Sequence, residues 1–508
     1  MSQHKSVDTL MKMAHQPKNL STLVRTKGTD YWKAISEKET LKLFHATAGS
    51  VPAYKDFLRK NKIKPENIKT LKDFSLVPAM DKDNYLHAYP YEKLLWDGEL
   101  KKPLTIHATS GSTGEPTYFQ RDFMSDLKRE FIIDMFFKHN DLTTTGPTLF
   151  IITFGMGVWS AGMGIYTGAY LAANFNKYPI SIISPGVNKV EVLKILRTIA
   201  PNFKQVIIAG YPPFVKDIID EAREEKINLE KFNLRFVFTG ESFSEEFRDY
   251  LCDHAGIRNV FTDTMNTYGS SELGAMAVET PLSILVRKQT DKHIFRTLFG
   301  DITKVPTLVQ YIPYFVSFQC VDGELFFTGN STIPLIKYKS GDSGGILTYD
   351  QVKDGLAQHG VTLGTEIKKH KITEHVCKLP FVYVYERKNL ATTFYGILVY
   401  PEFLKAAMLD TQVNRFLTGK FTLIQKYDKN QDQYLEINLE MKRAVSFKKQ
   451  DEEIVLRKIV ETLKARSSEF GELCRNLGER AYPKLMFWPY EHQEYFTPGS
   501  KQQWVRRI

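Results

Sequence analysis

The chain has 508 residues, 43% of them hydrophobic and 25% charged, and a formal net charge of +10 at pH 7. This length is too great for one compact core, so we expect at least two domains, and the composition is that of an ordinary soluble globular protein. The basic residues are scattered, without a run of five or more. This argues against a dedicated nucleic-acid-binding arm. The basic balance favours anionic partners such as nucleotides, coenzyme A, nucleic acid or acidic membrane surfaces, and it does not choose among them.

The cysteine spacing and the apolar runs restrict the class of protein further. Four cysteines stand far apart, and no pair has the C-x-x-C spacing of a zinc site or redox pair. The first residues lack the apolar stretch of a signal peptide, and the longest apolar runs are far too short to span a bilayer. We therefore expect a cytoplasmic protein without a membrane span.

The predicted elements change in character along the chain. Residues 1–100 form a mainly helical lead-in, with helices at 37–46 and 53–60. Beyond residue 104, short apolar strands alternate with helices at 190–199 and 213–225. The predicted strands cover residues 148–154, 180–184, 205–209, 235–239 and 259–262. This alternation predicts a mostly parallel α/β sheet with ligands at the carboxyl ends of its strands.

The last part of the chain predicts a small α+β unit. Strands at 421–427 and 434–441 precede an amphipathic helix at 451–467. The residues expected to face inward on that helix are Ile454, Leu456, Ile459, Val460 and Leu463. We therefore predict a large domain at 1–388 and a small C-terminal domain at 389–508.

Residues 109–117, TSGSTGEPT, have the composition of a phosphate-binding loop. Glycines let the backbone approach a ligand closely, and hydroxyls with free N–H groups suit phosphate oxygens. The segment lacks the lysine pattern of the common nucleotide-hydrolase loop. Taken alone it is also compatible with a flexible linker.

TSGSTGEPT resembles the phosphate loop of the acyl-adenylate-forming superfamily, which includes acyl-CoA synthetases, luciferases and peptide-synthetase adenylation domains. Thr117, where many members have lysine, is typical of the phenylacetate–CoA ligase branch. Segments 51–58 and 76–90 are similar to that branch's lead-in to the loop. The resemblance implies a large N-terminal α/β domain and a small mobile C-terminal one. It also implies an ATP-phosphate loop made of Thr109, Ser110, Gly111, Ser112, Thr113 and Gly114.

Further motifs follow in the family's order. Residues 239–242, TGES, resemble its adenine-lining segment and contribute Gly240, Glu241 and Ser242, although Ser242 also suits a helix N-cap. Residues 266–272, NTYGSSE, resemble its Tyr-Gly-x-[Ser/Thr]-Glu motif. The resemblance implies that this segment binds the nucleotide and Mg²⁺. Its members are Tyr268 on adenine, Gly269 and Ser270 in the turn, Ser271 on the α-phosphate and Glu272 on Mg²⁺.

Three further residues are assigned by the same resemblance. Asp342, in YKSGD at 338–342, is expected to accept hydrogen bonds from the ribose hydroxyls, with a solvated hairpin turn as the alternative. Arg387 fits the arginine that reaches ribose or phosphate, but Glu386 and Asn389 depart from the hinge pattern. Lys501 is similar to the lysine that bridges the substrate carboxylate and the α-phosphate.

The acid pocket is expected near residues 153–164 and 209–213, which are rich in glycine and aromatic side chains. Its candidate residues are Phe154, Trp159, Gly210 and Tyr211. A glycine-lined helix contact is the alternative, and the segment does not separate an aryl acid from a fatty one.

The resemblance implies an AMP-forming acid–thiol ligase that uses ATP and Mg²⁺. It would convert a small carboxylic acid to an acyl-AMP, releasing pyrophosphate, and pass the acyl group to coenzyme A. Two alternatives stay open. One is transfer to an amine, a carrier protein or a protein cysteine, as in the acyl-protein synthetase of bacterial luminescence. The other is a nucleotide-binding scaffold without catalysis, motivated by Thr239, Glu386 and Asn389.

Overall fold

The computed structural model describes residues 19–100, 104–108, 118–157, 160–240, 242–300, 306–385, 392–394, 397–428, 433–497 and 502–506. The first part is helical, as predicted. Its α-helices are α1 (Leu20–Thr26), α2 (Thr29–Ser50), α3 (Pro52–Lys60) and α4 (Leu71–Phe74). A proline opens α3, where the first turn needs no backbone donor.

A hairpin and two helices lead into the central sheet. They are β1 (Thr105–Ala108), β2 (Tyr118–Arg121), α5 (Phe123–Phe137) and α6 (Asp141–Thr145). The two strands pair antiparallel, with Ala108 opposite Tyr118. The predicted phosphate loop at 109–117 connects these two strands and lies outside the described residues.

The parallel half of the central sheet comes first along the chain. Its strands are β3 (Thr148–Ile152), β4 (Ile180–Ile183), β5 (Gln205–Gly210), β6 (Arg235–Thr239) and β7 (Thr264–Ser270), in the order β4-β3-β5-β6-β7. The helices between them are α7 (Ser160–Asn176), α8 (Lys189–Thr198), α9 (Pro212–Glu224), α10 (Glu245–Ala255) and α11 (Val260–Asp263). Because β3 and β5 are buried on both faces, their sequences are nearly continuous apolar runs. Four of the five predicted strands are confirmed.

The second half of the sheet is antiparallel, so the predicted parallel pattern does not extend to it. Its strands are β8 (Gly274–Val278), β9 (Thr307–Tyr311), β10 (Val316–Val321), β11 (Glu324–Gly329), β12 (Leu335–Leu347) and β13 (Phe381–Tyr385). Short connections join β9 to β10, β10 to β11 and β11 to β12, whereas helices lie between β8 and β9 and between β12 and β13. Asp322 and Gly323, both with positive φ, form the two-residue connection between β10 and β11. Helices α12 (Pro281–Gln289), α13 (Lys292–Phe299), α14 (Tyr349–Ala357) and α15 (Leu363–Lys369) complete this part.

The strand predicted at 259–262 is wrong, because these residues begin a helical turn. The Asn259 side chain accepts a hydrogen bond from the Phe261 N–H and caps α11. A side-chain acceptor at this point favours a helix start over an extended chain. The strand begins only at Thr264.

The C-terminal part builds its own core. Its elements are β14 (Thr392–Phe394), β15 (Ile397–Val399), α16 (Pro401–Met408), α17 (Thr411–Asn414), β16 (Leu417–Tyr427), β17 (Gln433–Met441), α18 (Lys449–Arg466), α19 (Ser468–Leu477), β18 (Lys484–Trp488) and β19 (Val505–Arg506). All members of one buried hydrophobic cluster lie between residues 394 and 505. On α18, Ile459, Val460 and Leu463 are buried as predicted, but Val455 takes the inward place expected of Ile454 and Leu456.

The C-terminal part contacts the large sheet through α9. The Lys420 ammonium lies 2.8 Å from the Asp217 carboxylate, and Lys216 donates to the Thr418 carbonyl at 3.2 Å. These contacts place β16 against the helix that follows β5. Among the described residues, no helix is both long and apolar enough to cross a membrane.

Candidate functional site

The predicted pocket residues gather where the parallel strands end. Phe154 follows β3, Gly210 ends β5, and Tyr211 comes next. Gly240 follows β6, whose last residue pairs with Thr267 of β7. Because parallel strands end at one edge of the sheet, these residues line a common rim.

Aromatic rings and glycines shape the pocket end of this rim. The Phe154 and Tyr211 rings meet edge to face, with centroids 4.9 Å apart. Gly240 has a φ of +86°, and a Cβ there would lie 2.8 Å from the Tyr211 ring. A Cβ at Gly210 would collide with the Thr153 hydroxyl. Both glycines therefore let the backbone pass close to side chains of the rim.

Tyr268 and Asp342 lie together at the end of β7. The Tyr268 hydroxyl donates to the Asp342 carboxylate at 2.7 Å, across 74 residues of sequence. Asp342 lies inside the long strand β12, which excludes the hairpin-turn alternative. The preceding Gly341 has a φ of +81° and open space beside its Cα. The Asp342 carboxylate is thus held beside the Tyr268 ring.

Glu272 follows the end of β7 and is buried, with 6% of its surface exposed. The Tyr338 hydroxyl donates to its carboxylate at 3.4 Å, and the Lys82 ammonium lies 3.4 Å from the same oxygen. Tyr338 belongs to the motif that also holds Asp342. The structure therefore brings two motifs, residues 266–272 with Tyr268 and Glu272 and residues 338–342 with Asp342, into one cluster.

Lys82 is a member of this cluster that the sequence argument did not assign. Its segment is fixed to β12 by a short bridge at Met80: the Met80 N–H donates to the Lys337 carbonyl at 3.2 Å, and the Lys339 N–H donates to the Met80 carbonyl at 2.8 Å. Asp81 caps the turn that follows. The resemblance of segment 76–90 was the available signal, but nothing in it singled out this lysine.

The turn between β7 and β8 is held from both ends. A Cβ at Gly269 would lie 2.5 Å from the Gly274 carbonyl, so a larger residue does not fit. The Leu273 N–H donates to the Ser270 hydroxyl at 3.2 Å. Arg121, at the end of β2, donates to the Ser271 carbonyl. Gly269 itself is paired with Ala275 inside β7, so the tight turn predicted at this glycine lies at residues 271–273 instead.

Ser242 does not cap a helix, so that alternative is wrong. Ser244 does so instead, because its hydroxyl accepts the Phe247 N–H at 3.2 Å. The Ser242 carbonyl lies 3.5 Å from the Lys405 ammonium of the C-terminal part. Ser242 therefore lies where the two parts of the molecule meet.

Ten predicted site residues lie outside the described residues. They are Thr109, Ser110, Gly111, Ser112, Thr113, Gly114, Trp159, Glu241, Arg387 and Lys501. Their predicted roles rest on the sequence resemblance alone.

The carboxylates near this cluster suit a nucleotide-bridged Mg²⁺ better than a protein-only metal site. No group of three or more His, Cys, Asp or Glu side chains among the described residues could hold a metal ion. Mg²⁺ in nucleotide sites is typically held by one or two carboxylates together with phosphates and water. Glu272, already facing one ammonium, fits the single-carboxylate role.

Two known proteins are similar to this chain in sequence. No family model matches the chain. It is 24% identical over 344 residues to a phenylacetate-coenzyme A ligase from Thermus thermophilus, covering 66% of this chain and 69% of that protein. It is 23% identical over 301 residues to a protein of the same name from Aromatoleum evansii, covering 58% of this chain and 61% of that protein.

Solved structures decide the fold. A 2-hydroxyisobutyryl-CoA ligase, in the postadenylation state with R3-HIB-AMP, matches with a TM-score of 0.68 at 14% identity, covering 96% of this chain and 92% of that one. The chain has the fold of the adenylate-forming ligases. The same ligase in its thioesterification state, with 2-HIB-AMP and CoA, gives a TM-score of 0.53, covering 95% and 91%. The predicted resemblance to the phenylacetate–CoA ligase-like branch of the adenylate-forming ligases is confirmed.

Proposed function

We propose that this chain activates a carboxylic acid with ATP as an acyl-AMP, releasing pyrophosphate, and then transfers the acyl group to a thiol, with coenzyme A as the favoured acceptor. The observation that carries the proposal is the cluster of Tyr268, Glu272 and Asp342. Three separate motif residues meet at the carboxyl edge of a parallel sheet, where ligands of such folds bind.

In the first step, a carboxylate oxygen attacks the α-phosphorus of ATP, and the bond to the bridging oxygen of the leaving pyrophosphate breaks. Asp342 accepts hydrogen bonds from the ribose hydroxyls while Tyr268 flanks the base. Ser271 donates to the α-phosphate. Mg²⁺, held by Glu272 and the phosphates, would supply charge neutralisation as pyrophosphate departs.

Cations complete the phosphate end of the site. Lys82, whose ammonium lies 3.4 Å from the Glu272 carboxylate, would contribute positive charge near the phosphates. Residues 109–114 would hold the leaving phosphates through backbone N–H groups and hydroxyls. Lys501 would bridge the substrate carboxylate and the α-phosphate, and Arg387 would reach the ribose.

The acid would occupy the rim beside Phe154 and Tyr211. Their edge-to-face rings form an apolar wall. Gly210 and Gly240 have no side chain that would fill the space beside it. Trp159 would add a third ring. Such a wall accepts a flat or apolar acid and leaves the carboxylate directed to the nucleotide.

In the second step, the thiolate sulfur attacks the acyl carbon and AMP leaves as the acyl–phosphate bond breaks. Both relatives are phenylacetate-coenzyme A ligases, which supports coenzyme A as the acceptor. The predicted domains, 1–388 and 389–508, would reorient between the two steps. An amine, a carrier protein or a protein cysteine as acceptor is an outcome that the test below can reveal.

The test is product analysis over a panel of aryl, short-chain and long-chain acids, with ATP and Mg²⁺, in the presence and absence of coenzyme A. The proposal predicts acid-dependent AMP and pyrophosphate, with an acyl-CoA of matching mass only when coenzyme A is present. Hydroxylamine serves as a control that traps acyl-AMP directly. If hydroxamate is trapped but no thioester forms, the chain makes acyl-AMP and coenzyme A is not the acceptor.

A further inference from the structure

Two buried arginines underlie the turn that carries Ser271 and Glu272. Arg121 is 1% exposed and Arg129 is 6% exposed. Gly274, with a φ of +86°, closes the turn directly against them. A Cβ there would lie 3.0 Å from Arg129 Nη2 and 3.6 Å from Arg121 Nε. The absence of a side chain at Gly274 therefore lets both guanidinium groups pack beneath the turn.

Arg121 differs from the other deeply buried arginines in its partners. Arg129, Arg235 and Arg248 each pair with a carboxylate, at 3.2, 3.2 and 2.6 Å. Arg121 has no carboxylate within ion-pair distance among the described residues. It donates instead to two backbone carbonyls, that of Gln120 at 2.9 Å and that of Ser271.

A buried guanidinium without a counter-ion is costly unless a ligand supplies one. Burial and the nearby charge of Arg129 lower the pKa of Arg121 to about 9, although the carboxylates of Glu272, Asp122 and Asp126 oppose the shift. Arg121 remains cationic at neutral pH. A polyanion bound at this turn would provide the missing countercharge.

We propose that Arg121 is a positioning residue for the triphosphate end of the nucleotide. This inference rests on the proposed function. By holding the Ser271 carbonyl, Arg121 fixes the peptide from which the Ser271 hydroxyl and the Glu272 carboxylate project. Its charge, which no carboxylate of the described residues pairs at ion-pair distance, adds a favourable field for phosphates, whereas adenosine carries no charge for that field to act on.

The test compares dissociation constants for MgATP and for adenosine, measured calorimetrically without any acid. In Arg121→Gln, the affinity for MgATP is expected to fall about tenfold or more, as for other residues that orient a ligand-binding group. The affinity for adenosine should stay within about twofold of wild type, since adenosine reaches only the Tyr268–Asp342 end. Arg121→Lys, which keeps the charge but loses the fork of donors, should give an intermediate loss for MgATP.

Arg235 provides the matched control. It is fully buried on β6, and donates to the Phe136 and Thr262 carbonyls at 2.8 and 2.6 Å. Arg235→Lys should lower the melting temperature while leaving the ratio of the two dissociation constants unchanged. Where Arg121→Gln does not fold, Arg121→Lys decides.

Two results overturn the inference: an unchanged ratio in the Arg121 variants, or an equal change of ratio in Arg235→Lys. A wild-type chain that binds neither MgATP nor adenosine removes the proposed function itself, and the role of Arg121 with it. The two failures are thus distinguishable.

Discussion

Asp342 and Tyr268 define the ribose end of the proposed nucleotide site, and their hydrogen bond of 2.7 Å sets the orientation of the carboxylate. Asp342→Ala should weaken binding of both ATP and adenosine about tenfold or more, because hydrogen bonds to a charged group are lost from a moiety common to both. Calorimetry with each ligand checks this. Asp354→Ala, at an exposed site on α14, is the control. Unaltered ATP affinity in Asp342→Ala would remove Asp342 from the ribose.

Lys501 carries the prediction for the reacting phosphorus. Lys501→Ala should reduce acyl-AMP formation about 10²–10³-fold, because a cation at developing negative charge is lost. Thioester formation from supplied acyl-AMP should be spared. Separate assays of acyl-AMP formation and of thioester formation check this. The control is Lys449→Ala, at an exposed position in the first turn of α18. Equal loss in both assays would give Lys501 a structural role.

At the scale of single residues, motifs identified some members of the cluster and missed others. Tyr268, Glu272 and Asp342 each lie in a short motif whose residue types match nucleotide chemistry. Lys82 and Arg121 do not, because their roles arise from contacts between distant segments: Lys82 approaches Glu272 through the Met80 bridge, and Arg121 reaches Ser271 across 150 residues. No local pattern encodes such contacts.

The β7–β8 turn is the element on which the phosphate end of the site depends. Gly269→Ala should destabilise the fold by about 1–3 kcal/mol, because the added Cβ would overlap the Gly274 carbonyl. Displacement of the turn should also weaken ATP binding. Chemical denaturation and nucleotide titration check the two effects.

Gly364→Ala on α15 is the control for that substitution. Its Cβ would meet nothing within 4 Å, so it should be neutral or stabilising by up to about 1 kcal/mol. Gly269→Ala with normal stability and normal ATP affinity would show that the turn can accept a side chain.

At the scale of elements, apolar periodicity located the buried parallel strands but not the antiparallel half. Strands β3, β5 and β6 were predictable because flanking helices bury both of their faces, and the edge strand β4 because of its short apolar run. The segment at 259–262 was misassigned because the Asn259 cap competes with an extended chain. Pairing order among β8 to β13 depends on contacts far apart in sequence, which periodicity does not report.

Across the whole molecule, the contact between α9 and β16 holds the C-terminal part against the large sheet. The Lys420 ammonium pairs with Asp217 at 2.8 Å and Glu440 at 3.5 Å. Despite the opposing effect of burial, these two carboxylates raise the pKa of Lys420 well above its usual range. The Lys420 ammonium therefore stays charged at neutral pH.

Asp217→Asn should loosen this contact, since one carboxylate of a half-buried network is lost, at about 1–3 kcal/mol. Faster limited proteolysis near the predicted domain boundary at 388–389 and a larger radius of gyration in X-ray scattering would report the change. Glu224→Gln, exposed on the same helix, is the control. An unchanged cleavage rate would mean that other contacts fix the C-terminal part.

The central claim is that distant motifs form one site that adenylates a carboxylic acid. Acid-dependent exchange of radiolabelled pyrophosphate into ATP tests it most directly, because the exchange requires reversible acyl-AMP formation and no acceptor. We predict exchange with at least one acid of a broad panel, and its loss in Asp342→Ala. ATP binding without exchange for any acid would contradict the account and leave a nucleotide-binding scaffold.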